Sequence, residues 1–397
     1  MGICNHDSMI HATIRVIEVV AVFGTISSLG YYGFCIVCAV ELLRERKHAD
    51  EGSRSTQATP PVSIFKPLKG TDPEMYENFR SHCLQDYPEY EIIFGVSEAN
   101  DPAIQLVERL KGEFPARSIQ LIICDESLGP NTKVSNLVQM AKRAKYSFFV
   151  VNDSDIRVQR DYLRRVLAPL EQENIGLVTC LYRAIANFTP TSCIESLGIV
   201  DFCAAVLSAR RVEGGLRFGL GSTLAFRSRD LEAIGGFEAL LNYLADDYQL
   251  GQRIVERQLA VKLSEVTVET VLPAYTLREF VAHQLRWART VRTSRPRGYS
   301  GFVITFGLFW ALLALVFSGA ATWAWQLLLT VLVLRIAMML LMGRGVLQDR
   351  QTYKLIWLLP LRDLIAPLFW FASFLGNTVA WRGDRFVVSK GKLAKVI

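Results

Sequence analysis

Three long apolar runs divide the chain. Val19 to Val40 carries no charged residue over 22 positions, enough for the roughly 20 residues that cross a bilayer as a helix. No basic stretch precedes it and it is too long for the core of a cleavable leader, so it reads as a retained N-terminal span. Arg44, Arg46 and Lys47 follow, which places its C-terminal end in the cytoplasm. Gly298 to Leu334 is uncharged over 37 positions, too long for one span. It predicts a helical hairpin turning near Ser318-Gly319, and Arg344, Arg350 and Lys354 beyond it favour a return to the cytoplasm. A third run, Leu364 to Trp381, has 18 positions and leads into a basic tail from Arg382. One crossing would put that tail outside, against its charge. A segment Leu355 to Trp381 that dips in and returns, broken by Pro360 and Pro367, would keep it inside. Both placements stay open.

Between the first two runs the pattern alternates. Gly52 to Pro61 (GSRSTQATPP) reads as a linker. Val62–Phe65, Glu91–Val96, Ile119–Cys124 and Phe148–Val151 are short β-rich runs. Helical stretches over Pro102–Lys111 and Lys133–Ala144 intervene. Strands alternating with helices predict an α/β domain with a mainly parallel sheet, whose ligands sit at the carboxyl ends of strands. Asn152-Asp153-Ser154-Asp155 falls at such an end. Ser192 to Ala209 is helical and mostly apolar. It reads as a core helix or as an amphipathic helix lining an acceptor site beside the membrane.

Composition narrows the classes. The chain has 397 residues, 51% hydrophobic and 21% charged, with a net charge of +6 and a mean hydropathy of +0.23. That excludes disorder and argues against a fully soluble protein. The excess basic residues cluster beside the apolar runs, so a nucleic-acid partner is not indicated. Eight cysteines in a chain this long make no disulfide framework. Cys35 and Cys38 lie inside an apolar run and read as an inert buried pair.

Three short motifs carry candidate chemistry. Asp153 and Asp155 stand two apart after a buried strand. They form either a solvated turn or a pair holding Mg²⁺ or Mn²⁺, whose shell substrate phosphates would complete. Asp246-Asp247 opens a helix over Tyr248–Arg257. The pair either complements the helix dipole or supplies a general base for an attacking hydroxyl. His283-Gln284-Leu285-Arg286-Trp287 precedes the hairpin. It reads as a basic interfacial helix with an aromatic belt residue, from which Arg286 can still face a diphosphate. Lys133 is either an exposed residue opening its helix or a cation for the same diphosphate. Gly219 to Ser222 (GLGS) is a weaker signal for a tight loop near a sugar.

Taken in order, VSIFKPLKGTDPEMYENF, YPEYEIIFGVSEANDPA, PNTKVSNL, VNDSDIRV, GLVTCLYR, GGFEALLNYLADDYQLG and HQLRWART resemble the ceramide glucosyltransferase family of membrane glycosyltransferases. The resemblance covers nearly the whole chain. HCLQDYP, KVSNL, LADDY and RWART followed by RPRGYSG look like its bacterial hopanoid-associated branch. It implies a nucleotide-sugar-binding domain of the GT-A type and an inverting mechanism. Asp101 matches the family's first aspartate, which helps hold the nucleotide. Asp153 matches the metal-linked aspartate, with Asp155 completing Asp-x-Asp, and Asp247 matches the proposed base. Asp246 precedes that base and is placed with the substrate-binding residues. Arg286 and Trp287 match the Arg-Trp of the Gln/Arg-x-x-Arg-Trp motif, but its first position here is His283, which weighs against polymer synthesis. Asp201 to Arg211 lacks the His that the animal ceramide enzymes carry there.

The expected organisation is a tail over 1–15, a span over 16–43, a linker over 44–61, and a cytoplasmic glycosyltransferase domain over 62–297. A membrane hairpin over 298–343, a loop over 344–354, a membrane or re-entrant segment over 355–381 and a basic tail over 382–397 follow. The expected function is transfer of a hexose from a UDP-sugar to the hydroxyl of a membrane lipid, ceramide or hopanoid, with Mg²⁺ or Mn²⁺ as cofactor, at a bacterial cell membrane. A hopanoid N-acetylglucosaminyltransferase, a processive polysaccharide synthase and a non-catalytic membrane scaffold are the rival readings.

Overall fold

The computed structural model describes residues 3–52, 59–381 and 383–395. Most of the expected linker (53–58), and Arg382, Val396 and Ile397 of the expected tail, lie outside the described residues.

The α/β half is built on one eight-stranded sheet. Its strands are β1 Val62–Leu68, β2 Tyr90–Val96, β3 Ser118–Ile123, β4 Phe148–Val151, β5 Ile156–Arg157, β6 Ile175–Ile185, β7 Leu224–Arg227 and β8 Ala260–Val271. The order is β3-β2-β1-β4-β7-β6-β8-β5. The first four are parallel, as are β6 and β8, while β7 and β5 run antiparallel to their neighbours. The result is the mainly parallel α/β sheet that the alternation predicts, with β7 reversing it beside β4. Every residue of β1 and β2 is buried, the signature of strands covered on both faces. Phe65, Phe149, Phe226 and Phe237 interlock edge-to-face across the sheet with centroids 4.9–6.4 Å apart.

The apolar runs form helices. The first is a single helix, Ile3–Gly52. The hairpin is Gly307–Phe317 and Thr322–Leu340, with Gly319 and Ala320 in left-handed conformation at its turn. Its first arm bends by 50° from the preceding segment Pro296–Thr305. Among the described residues, four helices are long and apolar enough to cross a membrane: Met9–His48, Pro190–Val212, Thr322–Val346 and Thr352–Ser373. The bent pair makes a fifth if it is one span. Pro190–Val212 is largely buried inside the protein, packed on β6 and on the N-terminal helix.

The third apolar run is split. Its helix, Leu359–Ser373, retains Pro367 in its interior. The chain then turns into a second, antiparallel sheet of β9 Thr378–Trp381, β10 Asp384–Ser389 and β11 Lys392–Lys395. This small sheet returns to the α/β half: Leu393 N–H donates to the Asn242 carbonyl at 2.7 Å, and Leu244 N–H to that of Gly391 at 3.1 Å. The described part of the basic tail is therefore folded.

Candidate active site

The turn after β4 is clamped from below. Asn152, fully buried, donates through Nδ2 to the Tyr162 hydroxyl at 2.9 Å and to the Ser222 carbonyl at 2.7 Å. Lys66, equally buried on β1, donates to the Asp153 carbonyl at 3.0 Å. Burial draws its ammonium down to about 7, against the pull of Asp155 and Asp153. These two residues were not legible as functional. The one signal for Lys66 is a cation inside an otherwise apolar strand.

On this support Asp153, Asp155, Asp246 and Asp247 all line one cavity of about 1120 Å³, together with Lys133, Arg286 and Trp287. Lys133 Nζ sits 2.8 Å from Asp153 Oδ1 and 3.2 Å from Asp246 Oδ2. It opens its helix, as one reading had it, but faces the acids rather than solvent. Burial alone would lower its ammonium; Asp153, Asp246 and Asp247 outweigh that and hold it well above the usual range. Asp155 accepts from the Thr270 hydroxyl at 2.5 Å. Burial and then the charge of Asp153 push it up to about 6.

Asp246 and Asp247 lie in the first turn of the helix Asp246–Glu256, whose cap position is Ala245. Asp247 accepts from Gly221 N–H at 2.8 Å and from Tyr248 N–H at 2.7 Å. The acids complement the helix N-terminus, as one reading had it, and they also face the cavity. Burial, then the charge of Asp246, raises Asp247 to about 6. The loop Gly219–Ser222 thus touches the candidate base.

Asp101 stands apart. It is not among the residues lining the cavity. Its carboxylate accepts from Gly70 N–H and Ala103 N–H, both at 2.9 Å, so it fixes the loop after β1 to the helix after β2. Lys69 and Asp72, from that loop, do line the cavity.

Part of the cavity wall is apolar. Trp287 packs edge-to-face on Phe202 at 5.4 Å and on His283 at 5.8 Å. Phe34 of the N-terminal helix, Val206 of the buried helix and Phe302 before the hairpin continue the wall. His283 is pressed down to about 3 by burial and by Arg286, so the ring is neutral. One cavity therefore joins four acids and two cations to a wall made by the membrane-type helices.

Among the described residues no three His, Cys, Asp or Glu side chains converge as a metal cluster. Two carboxylates do share a wall, and the charge of Asp153 adds to burial in raising Asp155. Mg²⁺ and Mn²⁺ sites of one or two carboxylates completed by phosphate and water need no more than that. Asp153 and Asp155 fit such an ion.

The chain matches glycosyl transferase family 21 over residues 20–394. Ceramide glucosyltransferase 3 of Caenorhabditis elegans is 24% identical over 405 residues, 96% of this chain and 83% of that protein. The ceramide glucosyltransferase of Komagataella phaffii is 31% identical over 169 residues, 40% of this chain and 31% of its own length. Among solved structures, the mannosyltransferase PcManGT from Pyrobaculum calidifontis, in complex with GDP-Man and Mn²⁺, superposes with a TM-score of 0.50 at 16% identity. The match covers 90% of this chain and 98% of that one. It supports the GT-A-like fold.

Proposed function

The chain belongs to glycosyl transferase family 21, and on that footing we propose that it transfers a hexose from a UDP-sugar to the hydroxyl of a membrane lipid, with inversion at the anomeric carbon. The observation that carries this is the continuity of the cavity. Its polar part, around Asp153 and Asp247, suits a charged sugar nucleotide. Its apolar part, at Phe34, Phe202 and Phe302, suits an acyl or polycyclic chain. The proposed acceptor is ceramide or a hopanoid, met at the cytoplasmic face of the membrane.

In the proposed reaction the lipid hydroxyl oxygen bonds to the anomeric carbon, the bond from that carbon to the diphosphate oxygen breaks, and Asp247 takes the hydroxyl proton. A carboxylate near 6 is well matched to that task, worth about 10²–10⁴-fold. Arg286, and Lys133 once released from its acid partners, are placed to face the negative charge that grows on the departing diphosphate. Asp153 and Asp155 would hold a divalent ion, which neutralises the same phosphates. Asp101 would act on the nucleotide only through the Gly70 loop.

The test is a transfer assay on the purified chain with Mg²⁺ or Mn²⁺, UDP-sugars and mixed lipid acceptors, read by mass spectrometry. Asp247→Asn should lose about 10²–10⁴-fold in transfer while UDP still binds. Unchanged turnover removes Asp247 from the mechanism. Asp153→Ala should weaken UDP binding only when metal is present.

A further inference from the structure

A second polar cavity, of about 640 Å³, lies where the membrane hairpin rejoins the sheet. It shares no lining residue with the acidic one. Its floor is Arg183 of β6. That guanidinium pairs with Glu269 at 2.6 Å and donates to the carbonyls of Leu347 and Gln348 at 3.1 and 3.2 Å. Gln348 is a non-glycine residue at φ 55°, a conformation that persists only where its surroundings enforce it. Asp349, buried, accepts from Gln351 N–H at 2.8 Å and from the Thr352 hydroxyl at 2.7 Å. Both acids of the cavity are thus satisfied internally. Arg344 and Arg350, its other two cations, are exposed. Among the described residues their side chains have no hydrogen bond or ion pair. A braced pocket with uncompensated positive charge selects an anion.

The surroundings identify its source. Arg344 lies in the last turn of the Thr322–Val346 span and Arg350 just before the Thr352–Ser373 span. Tyr353 is 52% and Trp357 72% exposed, in the successive turns Thr352–Leu355 and Ile356–Leu358. Exposed Tyr and Trp at a span's end mark the level of lipid headgroups, and exposed Lys354 beside them adds charge. We infer that Arg344 and Arg350 form a binding site for the phosphate of an anionic phospholipid, separate from the acceptor, which fixes the hairpin against the sheet.

The experiment uses the full chain in detergent micelles doped with phosphatidylglycerol or phosphatidylcholine, with retained lipid read by native mass spectrometry and stability by thermal unfolding. The wild type should retain phosphatidylglycerol over phosphatidylcholine and unfold at higher temperature with it. R344Q/R350Q should reduce that retention about tenfold or more. Both side chains are exposed, so its unfolding midpoint in phosphatidylcholine should match the wild type. K142Q/R143Q, which removes the same charge from an exposed turn before β4, should retain the lipid fully. Equal retention by wild type and R344Q/R350Q overturns the site, as does equal loss in the control. Inorganic phosphate protecting as well as the lipid overturns the lipid as its ligand. Transfer activity is not the readout, so this outcome is independent of the proposed reaction.

Discussion

Gly221 stands between the two carboxylates at the centre of the cavity. Its N–H donates to Asp247 Oδ2 at 2.8 Å, and a Cβ on it would lie 2.7 Å from Asp153 Oδ2. The residue thus fixes the candidate base and leaves room for the candidate metal ligand. Gly221→Ala needs no unusual backbone angle, so its cost should fall on the site. Transfer should drop by about 10²-fold, in line with the loss from an ångström of misplacement, with a near-native melting temperature. Full activity in this variant would show that the two carboxylates do not act together.

Lys133 neutralises Asp153 and Asp246 from a side chain only 15% exposed. Lys133→Met leaves the acids facing one another without a cation, a loss of about 3–5 kcal/mol for a buried pair and less here because Asp153 is 41% exposed. Mn²⁺ should restore part of the melting temperature in the variant and more than it adds to the wild type. Equal metal effects in both proteins would mean that the lysine and the ion do not share a site.

Much of this was legible beforehand. The first four strands alternate with helices and are short β-rich runs, and the acids follow β4 as the topology requires. The C-terminal sheet was not. Its strands are four to six residues long, and β9 falls inside an apolar run that reads equally well as helix. Asp101 shows the limit for sites: its place in a motif marks its importance, but only the fold shows that backbone N–H groups already occupy the carboxylate. Lys66 was hidden because charge inside a strand has no periodic signal.

Two buried histidines weaken the fold toward acid pH. Burial, then the charge of Lys66, holds His82 well below its ordinary range. Burial and Arg286 hold His283 at about 3. At these two rings the folded state thus binds fewer protons than the unfolded chain below about pH 6.5, while the raised Asp155 and Asp247 act in the opposite sense. The histidine contribution is complete above that pH and falls as pH drops toward the folded values, by about 1.4 kcal/mol per unit for each ring. His283→Gln removes one of the two and should flatten the decline in melting temperature between pH 6.5 and 4. An unchanged slope would mean that His283 is charged or exposed in the folded protein.

Arg335 joins three helices. It pairs with Asp201 at 2.7 Å and with Asp363 at 2.6 Å, while Arg362 reaches Asp201 at 2.8 Å. Arg335→Met leaves the buried Asp363 to Arg362 at 3.6 Å and should cost about 3–5 kcal/mol. Adding Asp363→Asn removes that charge, and Arg362 still serves Asp201, so the double variant should be more stable than the single one. A double variant less stable than R335M would show that the acids are not strained by the arginine's loss.

The small C-terminal sheet closes the cavity. Trp381, Asp384 and Phe386 line it, Lys69 holds Asp384 at 3.1 Å, and Val379, Phe386, Val388 and Leu393 bury a core of their own against Leu244. Its main contacts are with the helix Leu277–Ser294 and the segment Asn242–Leu244 rather than with the eight-stranded sheet, so truncation after Asn377 should leave that sheet folded. What it removes is a wall between the donor and water. In the proposed reaction, water then competes with the lipid hydroxyl for the anomeric carbon. The truncated protein should transfer at least about tenfold less sugar to lipid, and a larger share of consumed UDP-sugar should appear as free sugar. Both products are counted in one assay by mass spectrometry. If transfer falls with no rise in the hydrolysed share, the sheet orients substrate and does not exclude water.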